Sequence, residues 1–174
     1  MSEYVVDSDR LPSLSPSLRA GDRVILSGTV YTARDAAHKR LKEMIDKGEA
    51  LPFPLKGASI YHAGPTPTPP GRVIGSCGPT TSSRMDVFAP EFYDLGMAAS
   101  IGKGPRSREV IDAIVRNKAV YLCAVGGAGA LAAGCITSCE VIAFEDLGCE
   151  SIKKLTFDRF PLIVGADCVG CTLF

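Results

Sequence analysis

The chain has no net charge: 19 lysines and arginines offset 19 aspartates and glutamates among its 174 residues. With a pI near 6.7, that balance calls for neither a nucleic acid nor an anionic membrane as partner. No targeting leader is expected either, because the opening MSEYVVDSDR is acidic and holds no apolar h-region. No stretch reads as a membrane span. Ala119 to Ile136 carries no charge over 18 residues, but it is rich in Ala and Gly rather than Leu and is broken by Gly126-Gly127. A buried strand followed by a buried helix suits it better. Internal repeats and low-complexity linkers are absent as well. What remains is one domain over residues 1–174, with residues 1–20 as an extended approach to it, expected in the cytoplasm.

Apolar residues make up 46% of the chain, enough for a full core. Seven cysteines is a high and odd count for such a chain. A domain this rich in apolar residues is no disulfide scaffold, and a reducing compartment is the simpler inference.

Strands and helices interleave. Tyr4 to Val6 predicts a short strand and Asp22 to Val30 a longer one, with Gly28 marking a bulge or a close backbone approach. Thr32 stands three residues before Asp35 in capping-box fashion, and Ala36, Ala37, Leu41, Met44 and Ile45 then recur at helical spacing up to Gly48. Residues 50–72 read as loop with a strand at Ser59 to His62, and Val73 to Ser76 as another strand. Arg84 to Gly96 predicts a helix broken by Pro90, Ser100 to Gly104 a strand and turn, and Ser107 to Lys118 an amphipathic helix. Ala119 to Val125 predicts a strand and Gly129 to Ile136 a small-residue helix or turn. Three more strands follow at Glu140 to Phe144, Ser151 to Phe157 and Leu162 to Ala166. The order predicts an α/β fold with a mixed sheet.

Two arginines stand in unusual places. Arg34 falls in the first turn of the predicted helix, where a cation opposes the macrodipole by roughly 0.3–1 kcal/mol. Either it pairs with Asp35 or a distant acid, or an anion binds there on free N–H groups and the guanidinium together. His38 shares its helix face. The second place is GPTTSSRMD, Gly78 to Asp86, which sets Thr80, Thr81, Ser82 and Ser83 beside Arg84 after a Gly-Pro turn. It reads as a hydroxyl-rich helix cap or as a carboxylate or phosphate cradle. Two such places suit a ligand with two anionic ends, a dicarboxylate, with Lys103 in IGKG as a third cation.

The ordered set GDRVILSGTVYTARDAAHKRL, YHAGPTP, GPTTSSRMD, IGKG and AVGGAGA resembles the β subunit, or C-terminal domain, of class I fumarate hydratases and L-tartrate dehydratases, from about Leu11 onward. The resemblance implies a swivelling β/β/α fold. It also implies a [4Fe–4S] cluster held by a partner α subunit, with no metal ligand in this chain, and therefore a hetero-oligomer. Arg34 and Arg84 become ligands of the substrate carboxylates, Lys103 a further anion contact, and Thr81 a neighbouring substrate contact. Thr80 matches a threonine proposed as the base that takes the C3 proton. Asp35 and His38 have better intrinsic pKa values for proton transfer, or for orienting Arg34. Ser83 stands where the family commonly has glycine, and the tail DCVGCTLF holds cysteines foreign to the pattern. The implied reaction is the reversible dehydration of malate to fumarate, with tartrate dehydration as the alternative.

Three other readings compete. Gly127 to Ala132 fits G-x-G-x-x-A after a predicted strand, with Asp146 at about the spacing of a ribose contact, which is a dinucleotide fingerprint. Cys135, Cys139, Cys168 and Cys171 have partly suitable spacing for a four-thiolate zinc site. The domain can also be a non-catalytic module that binds dicarboxylates or regulates a partner.

Overall fold

The computed structural model describes all residues, 1–174. Its frame is β2 (Arg23–Thr32), whose β-branched and aromatic residues suit an extended, half-buried strand. Parallel to it run β1 (Glu3–Asp7) and β3 (Ser59–Tyr61), both on β2, then β4 (Ala99–Gly102) on β3 and β5 (Val120–Cys123) on β4. The last strand, β7 (Ile152–Ala166), runs antiparallel to β5 and, along its other edge, antiparallel to β2. The sheet β2–β3–β4–β5–β7 therefore closes on itself, and β6 (Ile136–Ala143) hangs from β7 as a flanking strand. Closure removes the free edges those five strands would otherwise present.

Alternation along the strands sorts the apolar residues into two cores. Val120 and Leu122 face the inner core with Leu26, Tyr61, Phe157 and Phe160. Tyr61 and Phe157 come from strands that are not neighbours, yet their rings lie 6.0 Å apart, so they meet across the closed sheet. Tyr121 and Ile60 face the other way, onto α2 (Asp35–Asp46), α3 (Ala89–Asp94) and α4 (Arg108–Asn117). The mixed-sheet α/β expectation holds.

Several local expectations do not. Beyond β1, residues 8–17 are not extended: two short 3₁₀ turns flank α1 (Leu11–Leu14). Pro12 and Pro16 lie in the first turns of these helical segments, where a missing N–H is tolerated. Pro90 likewise opens α3 rather than breaking a longer helix. Val73 to Ser76 is not a strand. It folds back on Thr66, whose backbone N–H donates to Ser76 O at 3.0 Å while Thr66 Oγ1 accepts from the Ser76 N–H at 2.9 Å. The two predicted C-terminal strands are one bent strand. Ser27 stands opposite both Asp158 and Arg159, a bulge that leaves Arg159 at φ 54°. Gly28, at φ +98°, flanks the same irregularity, and a Cβ there would lie 2.3 Å from Asp7 Oδ1. The glycine signal at that position was sound.

Candidate active site

The parallel strands all end on one side, where ligands of open and closed α/β sheets commonly bind. Past β2 come Ala33 and Arg34, past β3 His62, and past β4 Lys103. The GPTTSSRMD turn is laced into these ends. Thr80 N–H donates to His62 O at 2.7 Å, Ser82 N–H donates to Lys103 O at 2.9 Å, and Thr81 forms a parallel bridge with Lys103.

The two arginines that sequence placed at separate anion sites share one carboxylate. Arg84 Nε donates to Asp35 Oδ1 at 2.9 Å, and Arg34 Nε lies 3.9 Å from Asp35 Oδ2. The second separation is ionic but too long for a hydrogen bond, and both of its atoms are buried without another partner. Arg84 is half exposed and its only ion pair is through Nε, so its two terminal nitrogens are unpaired. Lys103 is half-buried and in no ion pair, its Nζ 3.8 Å from the space a Cβ at Gly126 would fill. Thr80, half-buried, is bonded only through its backbone N–H.

Arg34 is the N-cap of α2, with extended φ/ψ and no side-chain cap. The expected Thr32–Asp35 box does not form, because Thr32 is buried at the end of β2, donating to Ser151 O at 3.3 Å and accepting from Lys153 N–H at 3.0 Å. Glu150 caps the helix instead. Its Oε2 accepts from Ala36 N–H at 2.9 Å, and its Oε1 lies 3.6 Å from an Arg34 terminal nitrogen. The turn bearing Glu150 is gathered by Lys153, whose ammonium donates to the carbonyls of Gly148, Cys149 and Ser151 at 3.3 Å each and to Ser151 Oγ at 2.7 Å. Burial holds the Lys153 pKa below its usual value.

Beneath these groups lie both histidines, each 1% exposed. His38 Nδ1 is 2.9 Å from Arg34 O. A carbonyl only accepts, so that nitrogen carries the proton. The ring stacks on Phe92 at 5.2 Å. Burial above all, with repulsion from Arg106 as a smaller contribution, lowers the His38 pKa to about 4, so the ring is neutral near pH 7. His62, its Nδ1 2.9 Å from Ser82 Oγ, is pushed well below the ordinary histidine value by burial, then by the charge of Arg106 and by His38. The Arg106 side chain is fully buried. It donates to Asp86 at 2.6 Å and to Ser100 Oγ at 2.7 Å, and lies 4.8 Å over the Tyr121 ring.

The structure thus joins Arg34, Asp35 and Arg84 directly and sets Thr80, Thr81 and Lys103 alongside one another. His38 touches the cluster from below, through Arg34. Sequence reading missed Glu150, His62 and Arg106, and named Ser82 only as one hydroxyl of the cradle. His62 sits in the motif YHAGPTP and was in view, whereas Glu150 acts on residues 114 positions away and left no local signal.

Two competing readings lose their footing. Gly127 to Ala132 does follow a strand, but α5 (Gly129–Gly134) leads into β6, which pairs with β7 alone and not with β5, so this stretch builds no βαβ unit of paired parallel strands. Asp146 is taken up by Arg40 at 2.7 Å. The four C-terminal cysteines do not converge, and no three His, Cys, Asp or Glu side chains come together to hold a metal ion.

The chain is an α/β domain whose strand ends gather two guanidiniums, an ammonium and a hydroxyl-bearing turn, groups whose chemistry suits a small anion. The family can be stated more closely. The fumarase C-terminus model matches residues 6–174, and the chain belongs to that family. Fumarate hydratase 2 of Leishmania major is 41% identical over 156 residues, covering 88% of this chain and 28% of that protein. The aerobic class I fumarate hydratase of Escherichia coli K12 is 41% identical over 154 residues, 87% of this chain and again 28% of the relative. A putative L(+)-tartrate dehydratase subunit beta of Methanocaldococcus jannaschii is 39% identical over 163 residues, covering 90% of this chain and 84% of the relative. The chain therefore spans little more than a quarter of the hydratases and most of the β subunit.

Proposed function

We propose that this chain is the β part of a hydro-lyase that interconverts malate and fumarate, with an α subunit supplying the rest of the active site. The observation that carries this reading is the Asp35 carboxylate bonded to Arg84 and within ionic reach of Arg34, with Arg84 in the same turn as Thr80 and that turn bridged to Lys103 through Thr81. Engaging Arg84 through Nε alone leaves both of its terminal nitrogens for a ligand, while Arg34 keeps one terminal nitrogen beside Glu150 and has the other for a diacid's second end. Lys103 adds positive potential on the same side, and Thr81 lies against it as a further contact.

Dehydration removes a proton from C3 and a hydroxide from C2. Thr80 is the proposed proton acceptor at C3. An alcohol serves as a base only when its ionised form is favoured, and the field of Lys103 and the two guanidiniums acts in that direction. Asp35 is occupied by both arginines, and His38 donates its one proton to Arg34 O, so we assign both to orienting the arginines. This chain's residues do not fit an iron–sulfur cluster, since no three potential ligands converge. The reading places the [4Fe–4S] cluster in the α subunit, and every step assigned here belongs to this chain's own groups. The swivelling description and a cytoplasmic location belong to the same reading.

A second reading, the β subunit of an L-tartrate dehydratase, is favoured by the β-subunit relative, most of whose length this chain covers. Anaerobic co-expression with the α partner, followed by assay with fumarate, malate and tartrate, tests both. Hydration of fumarate is expected, with about a 100-fold loss of kcat/KM in Arg34→Gln and in Arg84→Gln. Turnover of tartrate alone would select the second reading. Dicarboxylate binding without turnover of any of the three would leave a binding module instead.

A further inference from the structure

The Thr80–Arg84 turn carries the proposed proton acceptor and one of the two arginines, yet no helix of any length holds it. Residues Ser82–Met85 make a single 3₁₀ turn without a side-chain cap. Besides its bridge to Lys103, one residue holds it at two places. His62 O accepts from Thr80 N–H at 2.7 Å, and the ring of the same residue reaches Ser82 Oγ at 2.9 Å. Gly102 closes the other side, since a Cβ there would lie 1.9 Å from Ser82 Oγ and 3.0 Å from His62 Nδ1. Ser82 is fully buried and His62 nearly so, so neither meets the ligand directly.

The network runs on from Ser82. The Tyr121 hydroxyl donates to Gly104 O at 3.0 Å and to Ser82 Oγ at 3.1 Å, sharing its one proton between them. Ser82 Oγ therefore sits between the Tyr121 hydroxyl and the His62 ring, within hydrogen-bond distance of both. Arg106 lies over the Tyr121 ring and holds it from behind.

We propose that His62 and Ser82 are positioning residues of the site: a buried hydrogen-bonded row of His62, Ser82 and Tyr121, ending on Gly104 O, clamps the Thr80–Arg84 turn against Lys103. The proposal rests on the functional reading only for what the turn does, and the clamp itself is a property of this chain.

The test therefore has two arms. In the first, amide hydrogen exchange is recorded on the full chain. Ser82→Ala is expected to speed exchange at the Thr80 amide at least tenfold while amides in α4 stay unchanged. An unchanged Thr80 amide in Ser82→Ala overturns the clamp. In the second arm, the complex with the α subunit is assayed with His62→Asn, whose side-chain amide can place a hydrogen-bonding group near the Nδ1 position, and with His62→Leu, which offers none. His62→Leu is expected to lower kcat by roughly tenfold to 100-fold with KM within about twofold, because displaced groups lose chemistry before binding. His62→Asn is expected to restore most of that loss. Equal kcat in the two variants overturns the positioning role. If the wild-type complex turns over none of the three diacids, the functional reading falls, and the first arm alone still decides the clamp.

Discussion

Two arginine–aspartate pairs lie close together in this protein and do opposite work. Arg106 and Asp86 meet at 2.6 Å with side chains 0% and 10% exposed, while Arg84 and Asp35 meet at 2.9 Å with side chains 50% and 33% exposed. The buried pair cannot trade its partner for a ligand and is tied into the framework by Ser100, Tyr121 and the Ser107 N–H. The outer pair keeps water within reach and terminal nitrogens unpaired. Burial decides which of two chemically identical pairs is scaffold and which, on the proposed reading, is open to a carboxylate from solution.

The largest expected effect separates the pairs by stability. Arg106→Met leaves Asp86 buried without its cation and is expected to cost about 3–5 kcal/mol, seen as a Tm lower by roughly 10 °C. Arg84→Met, read by the same thermal melt, is expected to stay within about 1 kcal/mol. Similar losses from both would erase the distinction drawn above.

Next comes acid. The folded pKa of His38 lies at about 4 against an ordinary 6.5. Between those values the unfolded chain binds a proton that the folded one refuses. This contribution is therefore full above pH 6.5 and drains away as pH falls toward 4, by about 3 kcal/mol for His38. His62 acts in the same direction. Asp22, Asp94 and Asp146 are lowered from 3.8 by their hydrogen-bond partners, so they act below this window. Urea unfolding across pH 7 to 4 reads the slope, and His38→Phe, which keeps the stack on Phe92 but does not titrate, is expected to reduce it by about half.

Smaller effects probe the outer layer. Asp35→Asn removes the charge between the two arginines and is expected to lower kcat/KM in the assembled enzyme about 100-fold, with stability changed by less than about 1 kcal/mol. Glu150→Gln keeps an oxygen for the Ala36 N–H and loses only the ion pair with Arg34. A KM raised about tenfold with kcat little changed is expected, the mark of weakened binding rather than altered chemistry. An unchanged KM would mean that Arg34 is held by His38 and Asp35 alone.

Much of this was legible from sequence. Strand and helix periods gave the interleaved order, and the hydroxyl run beside Arg84 and the misplaced Arg34 marked residues that the fold brings together in the candidate site. What stayed hidden is long-range. Nothing near Thr32 says that its hydroxyl will serve Lys153 rather than cap a helix, and nothing near Asp35 says that Glu150 will do the capping. β7 looked like two strands because Asp158 and Arg159 interrupt its alternation, and only Ser27 across the sheet makes the interruption a bulge. His62 was in plain view, but a histidine declares its partner only when the chain has folded around it.

Lys153 does for the Gly148–Ser151 turn what a bound calcium ion does for many surface loops: it draws several carbonyl oxygens to one positive centre. Here the cation is tethered to β7. Chelators that strip ion-dependent proteins have nothing to remove from this turn, and dilution cannot empty it.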